Sequence, residues 1–292
     1  MSKTWLILDA PFLCHRLKHS MGNLSYKDIP TGIIYGFLCY IPILQEKFDT
    51  PHIIFCWDSK TSKREEIYPK YKQTRADRYK DMTDDELLFE DEFRSQMMLL
   101  RKRYLPTIGF KNVFVQRGYE GDDIIASICR YNLGKEDKAI IITSDHDLYQ
   151  LITPQVTIYN PNTTKMMTLQ GFKKKYGIHP KRWSSVKMYA GCSGDNVKGI
   201  KGVGEKTAIK YIKDELKKTF KVWERLTSEK GIQIAHRNCL LVQLPFVGVK
   251  IFKLKKDKIT KEGWEKVITA LGFKSIKNKI PRTAKSIRKK IR

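Results

Sequence analysis

"KAIIITSDHD", residues 138–147, is an apolar run that stops at two closely spaced aspartates, Asp145 and Asp147. A short, continuous, β-branched run of this kind fits a strand buried on both faces of a sheet. The pattern recurs along the first half of the chain. TWLILD (4–9) ends at Asp9, and HIIFCWD (52–58) ends at Asp58. NVFVQRGYEGDD (112–123) ends at Glu120, Asp122 and Asp123, while VTIYN (156–160) reads as a further strand. Segments 33–48 and 86–104 lie between these runs with helical spacing. The alternation predicts an α/β fold with a mostly parallel central sheet and flanking helices. Strand C-termini share one edge in such a sheet, where open α/β folds place their ligands. The seven acids are therefore expected to converge on one cleft.

The rest of the composition points the other way in charge. The 292 residues carry 56 Lys and Arg against 31 Asp and Glu, a formal net charge of +25. Residues 274–292 hold nine basic residues and no acid, but the excess runs through the whole body. A polyanionic partner follows, nucleic acid first, with anionic lipid or plain solubility charge as the blander readings. The apolar N-terminal stretch is broken by Asp9 and followed by no cleavage pattern, and no run is long enough to span a bilayer. No membrane association and a cytoplasmic location, in a bacterium or a phage-infected host, are expected. The six cysteines, including Cys192, are scattered with no Cys-x-x-Cys pair, which reads as free thiols rather than a disulfide frame or zinc site.

Residues 59–85 are dense in charge and tyrosine and too long for an ordinary connection. From about 185 the chain turns helical with glycine punctuation, around GIKGVGEKTAIKYI (199–212). The expected organisation is an α/β domain over 1–185 with an arch at about 59–95, a helical subdomain over 186–273, and a basic tail over 274–292.

Singly, each acid also reads as a helix N-cap or a turn residue; for Asp123 alone the cap is the better reading. Capping does not account for the set, because one helix start needs one acid. Crowded carboxylates stay ionised together only beside cations. Oxygen-only donors select hard ions, Mg²⁺ or Mn²⁺ rather than Zn²⁺. Two such ions clamp the attacking and leaving oxygens of a phosphodiester. The concentration of acids in a basic chain is thus read as a metal-loaded pocket served by a basic surface.

With these residues in place, the chain resembles the 5′-nuclease (flap endonuclease) family, over roughly residues 4–245. Asp9 with Arg16, Asp58, the "RxxxYPxYKxxR" stretch from Arg64 to Arg75, "EGDD", "TSDHD" and "GDNVKGIKGVGEKTA" (194–208) follow the family's order. The resemblance implies a PIN-like 5′-nuclease fold with a helical arch insertion and a C-terminal helix–three-turn–helix subdomain. It implies metal ligands at Asp9, Asp58, Glu120, Asp122, Asp123, Asp145, Asp147 and Asp195, holding two Mg²⁺ ions for which Mn²⁺ substitutes. Lys72 and Arg75 would stabilise charge on the scissile phosphate. Arg16 and Arg64 would contact DNA, and Tyr71 would stack on a terminal base. Lys201, Gly202, Gly204, Lys206 and Thr207 would grip duplex phosphates without reading sequence, with K⁺ bound there.

One departure stands out. The family carries Asp-x-x-Asp-Asn before its glycine turns, whereas here "GCSGDN" puts Cys192 in the first acid's place. The second metal position is expected to be weakened, since a thiol is a poor Mg²⁺ ligand. His146, between the two acids of TSDHD, is expected to point away from them.

The implied function is a monomeric, structure-specific 5′-nuclease, flap endonuclease and 5′-3′ exonuclease, without an attached polymerase. Its substrates would be 5′ flaps, nicked duplex 5′ ends, branched DNA and RNA–DNA hybrid ends during replication, with single-strand-binding protein or other replication proteins as partners. Two alternatives remain open: a catalytically impaired flap-binding protein with a degraded second metal site, and an RNA-directed nuclease on a related acidic fold.

Overall fold

A computed structural model describes residues 2–284, so the distal part of the basic tail lies outside the described residues. Six strands form the main sheet: β1 (Thr4–Asp9), β2 (His52–Cys56), β3 (Val113–Phe114), β4 (Lys138–Ile142), β5 (Val156–Asn160) and β6 (Lys165–Met167). Their spatial order is β3-β2-β1-β4-β5-β6. All pairings are parallel except β5 with β6. The strand β1 lies at the centre, with Leu6 level with Ile53 on one side and Ile140 on the other.

Alternation of side chains across the pleat divides the core in two. Leu6, Leu8, Ile53 and Phe55 face helices Ala10–Met21 and Gly32–Lys47, whereas Trp5, Ile7, Ile54 and Cys56 face helix Gly121–Tyr131. Burial on both faces explains why these strands read as unbroken apolar runs. Expected strand 112–116 shrinks to Val113–Phe114, because Gln116 turns away to bond Gly248 and Lys250. The antiparallel strand β6, only three residues long, was not legible in the sequence.

Residues 59–85 are more ordered than a loop. Helices Arg64–Ile67 and Gln73–Lys80 lead into Asp84–Leu99. The last begins at a capping box: Glu86 N–H donates to Thr83 Oγ1 at 3.3 Å, and Thr83 N–H donates to Glu86 Oε2 at 2.9 Å. The Arg94 guanidinium lies 4.5 Å from the Tyr79 ring centroid and ties two of these helices together. The long helix runs on through a π-helical turn, Leu100–Tyr104.

The C-terminal part departs from the expected grouping. The boundary near 185 falls inside helix Trp183–Ala190, which packs on Glu205–Ile212 and Glu229–Val242 but also against Asp147–Leu151 of the sheet domain. Helix Lys261–Ala270 leaves this group and buries Trp264, Val267 and Ile268 in the same cluster as Leu6 and Leu8. The proximal tail follows it. Ile276 is buried there, and Arg282 donates to Asp49 Oδ1 at 2.7 Å while its N–H donates to Gln45 Oε1 at 2.7 Å. Residues 274–284 pack onto the body as a strap.

Candidate active site

The sheet topology delivers Asp9, Asp58 and Asp145 to one edge. Asp9 takes the capping role that the sequence offered each acid singly. Its Oδ1 accepts from Phe12 N–H at 3.1 Å and caps the first helix, while its Oδ2 accepts from Thr143 Oγ1 at 2.9 Å. The same threonine oxygen accepts the Asp145 N–H at 3.1 Å, and Asp145 Oδ1 accepts the Asp147 N–H at 2.7 Å. Asp58 Oδ1 accepts the Gly121 N–H at 2.7 Å, which docks the helix carrying Asp122 against the end of β2. Glycine suits this close approach: a Cβ on Gly121 would lie 3.1 Å from that oxygen.

Electrostatics separate the acids into two sets. Burial, then the charge of Asp58, raises Asp9 to about 7. Burial and the neighbouring acids Asp145, Asp9, Asp58 and Glu120 hold Asp122 well above the carboxylate range. Asp145 rises to about 6 through burial and Asp147, and burial also raises Asp58. Among the described residues the ion pairs of the cleft all fall on the other acids. Lys72 Nζ lies 2.8 Å from Glu120, Lys187 Nζ 3.1 Å from Asp147, and Arg75 Nη2 2.9 Å from Asp195. Burial opposes ionisation of Glu120, but Lys72 and Arg64 outweigh it and its pKa is lowered. Asp9 and Asp122, half-buried, and Asp58 and Asp145, open to the cleft, thus form an oxygen-only group that makes no ion pair among the described residues, a donor set that fits a hard divalent cation.

The arch base supplies Lys72 and Arg75. Lys72 sits in a left-handed conformation, φ 53°, and its N–H donates to the Asp195 carbonyl at 2.9 Å. That contact fixes the start of helix Gln73–Lys80 beside the cleft, while the Arg75 side chain remains 59% exposed. Glu120, Asp122, Asp147, Cys192 and Asp195 line one pocket with Tyr71.

Three expected roles change. Tyr71 is only 5% exposed, and its hydroxyl donates to Glu120 Oε2 at 3.0 Å and Asp195 Oδ2 at 3.2 Å. It orients two acids from inside the protein and presents no ring for base stacking. Arg64, 2% exposed, donates to both oxygens of Asp123 at 2.7 and 2.8 Å and to the Leu241 carbonyl at 2.7 Å. It is an internal strut rather than a DNA contact. Asp123 has no exposure and also accepts from Phe246 N–H at 2.9 Å and Glu120 N–H at 3.1 Å. Its oxygens are committed to these donors, so the metal-ligand expectation is replaced by a structural one.

The sequence reading missed Lys187. It is the one charged residue in helix WSSVKMYA, and it bridges Asp147 to Glu205 at 2.9 Å, at the start of the glycine-turn helix. Its solitary charge in that helix was the available signal. His146 does turn away, stacking on Tyr149 at 4.6 Å. Arg16 is held by Asn162 at 3.0 Å and lies over the Tyr40 ring. Lys201, Gly202, Gly204 and Lys206 are exposed and Thr207 half-buried around the start of helix Glu205–Ile212. Gly202 has φ +81°, which favours glycine, and a Cβ on Gly204 would meet nothing within 4 Å.

The Cys192 position differs from the oxygen-only group. The Cys192 thiol donates to Asp147 Oδ2 at 3.2 Å, and burial with the charges of Asp147 and Asp195 holds its pKa far above the ordinary thiol value. A sulfur among the donors does not fit a second Mg²⁺.

Comparison with known proteins bears on the family and the fold. The family model for the 5′-3′ exonuclease N-terminal, resolvase-like domain matches residues 4–177. A 5′-3′ exonuclease of Aquifex aeolicus is 32% identical over 78% of this chain and 75% of its own length. The thermostable DNA polymerase I of Thermus thermophilus is 29% identical over 72% of this chain, which spans only 24% of that polymerase. A bacteriophage T5 flap endonuclease, solved as a pseudo-enzyme–product complex with DNA and metal ions, superposes with TM-score 0.70 at 21% identity, covering 95% of this chain and 98% of that one. The mostly parallel sheet, the acidic edge and the matched residues lead to one assignment: the chain belongs to the 5′-3′ exonuclease family.

Proposed function

We propose that this chain is a divalent-metal-dependent, structure-specific 5′-nuclease that hydrolyses phosphodiester bonds at 5′ flaps, nicked duplex 5′ ends and RNA primers annealed to DNA. Mg²⁺ is the proposed ion at Asp9, Asp58, Asp122 and Asp145, with Mn²⁺ able to replace it. The observation that carries the reading is this group of crowded, unpaired carboxylates beside Lys72 and Arg75. When bound, divalent ions supply positive charge to the attacking and leaving oxygens of the ester.

The chain's own residues do the positioning. Lys72 and Arg75 leave Glu120 and Asp195 to meet the scissile phosphate and stabilise its developing charge. Tyr71 holds Glu120 and Asp195 in orientation. Lys201, Lys206 and the open backbone at Gly204 grip the duplex, with K⁺ bound in the same turn. The solved complex of the bacteriophage T5 flap endonuclease with DNA and metal ions, whose fold this chain shares, supports this reading.

The test is a 5′-labelled flap duplex incubated with Mg²⁺ or Mn²⁺. Cutting near the junction is expected from the wild type, with loss of cutting in Asp122→Asn. Lys72→Ala is expected to lower kcat by about 10²–10³-fold, the scale of losing one positioned charge donor. Binding of the flap without cutting in either ion would instead establish the impaired, binding-only reading.

A further inference from the structure

The cleft holds two donor sets of different chemistry. Asp9, Asp58, Asp122 and Asp145 offer oxygen alone and have no ion-pair partner among the described residues. Asp147, Cys192 and Asp195 form the second set, with one donor atom of each within 4.8 Å of the others. Cys192 does not reach this place by chance of a mobile loop. It pairs with Val197 in a short antiparallel ladder, which aims Sγ to 3.2 Å from Asp147 Oδ2 and 3.8 Å from Asp195 Oδ2.

The electrostatic demand of the two sets also differs. Lys187 Nζ at 3.1 Å neutralises Asp147, and Arg75 at 2.9 Å with Lys72 at 3.7 Å neutralises Asp195. A purely ionic ligand such as Mg²⁺ would displace these cations for little gain. A cation that bonds sulfur gains something that no lysine supplies. Glu205 at 2.9 Å keeps the Lys187 ammonium paired when it leaves Asp147.

We infer that Asp147, Cys192 and Asp195 bind a thiophilic divalent cation of the Zn²⁺, Co²⁺ or Cd²⁺ type through the Cys192 sulfur, so that the two cation positions of this cleft differ in kind. The inference rests on reading the cleft as a divalent-cation site.

Co²⁺ is the probe. The reduced full-length chain, saturated with Mg²⁺, is titrated with Co²⁺ while sulfur-to-cobalt charge-transfer absorption is recorded. One equivalent of thiolate-ligated Co²⁺ is expected in the wild type. Cys192→Ser should lose the band and bind Co²⁺ at least about tenfold more weakly, a loss no smaller than that of a supporting ligand. Cys192→Asp should lose the band and bind one more equivalent of Mn²⁺, counted by electron paramagnetic resonance. A wild type without the band overturns the inference, and so does a band that survives in Cys192→Ser. The wild-type spectrum decides even where a variant folds poorly. Mn²⁺ binding by the wild type keeps the two failures apart. Mn²⁺ bound with no thiolate band sinks this inference alone, whereas no Mn²⁺ bound at all sinks the reading of the cleft.

Discussion

Tyr71 and Arg64 belong to a stretch whose charge and aromatic content suggest direct contact with nucleic acid, yet both point inward. The reason is the neighbouring acids: a carboxylate buried beside the cleft needs donors, and the nearest are in the arch base. Tyr71→Phe separates the two readings, since phenylalanine keeps a stacking ring and loses only the hydroxyl. Removing the hydrogen bonds to Glu120 and Asp195 is expected to cost about 1–3 kcal/mol in denaturant unfolding, with flap affinity little changed. A loss of affinity at unchanged stability would restore the stacking role. Arg64→Ala leaves Asp123 as an unpaired buried charge and is expected to cost about 3–5 kcal/mol. Adding Asp123→Ala to it should cost less than Asp123→Ala alone, because both changes remove the same pair.

Among the elements, the glycine turn opens helix Glu205–Ile212 with its backbone exposed. Gly202 takes a left-handed conformation, Gly204 precedes helix Glu205–Ile212, and two exposed lysines flank it. Phosphate contact of this kind carries no base information. Lys201→Ala and Lys206→Ala should each weaken duplex binding equally across sequences and reduce the salt slope of log Kd by about 1. Binding measured over a range of NaCl on two unrelated duplexes checks this; a sequence-dependent loss would refute backbone gripping. The helix Trp183–Ala190 connects this turn to the cleft through Lys187, which pairs with both Asp147 and Glu205.

At the scale of the whole molecule, concentrating acid without counter-ions makes stability depend on pH and metal. Asp9, raised from 3.8 to about 7, and Asp145, raised to about 6, bind protons more tightly folded than unfolded. Stability from these groups is full below the unfolded value near 3.8 and is lost as pH rises toward the folded values. The chelator-treated protein should therefore lose thermal stability across that window. Divalent ions should restore it near pH 7 and do little near pH 4, where protons already occupy the acids. A Tm that climbs with pH in EDTA, or that ignores Mg²⁺ and Mn²⁺ near pH 7, would show that the group is not a cation site.

Read by itself, the amino-acid sequence determined the parallel sheet and its acidic edge. Both signals are local: an apolar run sets a buried strand, and the acid that ends it must lie at that strand's tip. Asp9, Asp58 and Asp145 were legible for that reason. Which acids are free to hold a cation was decided only in three dimensions, by partners remote in sequence. Asp123 meets Arg64 across 59 positions, and Gln45 meets Arg282 across 237. Likewise Trp264 joins the core of Leu6. A residue's type states what charge or volume it brings. Its role depends on which groups the fold sets against it, and here burial beside Arg64 and Tyr71 spent some of the expected ligands and left the others unpaired.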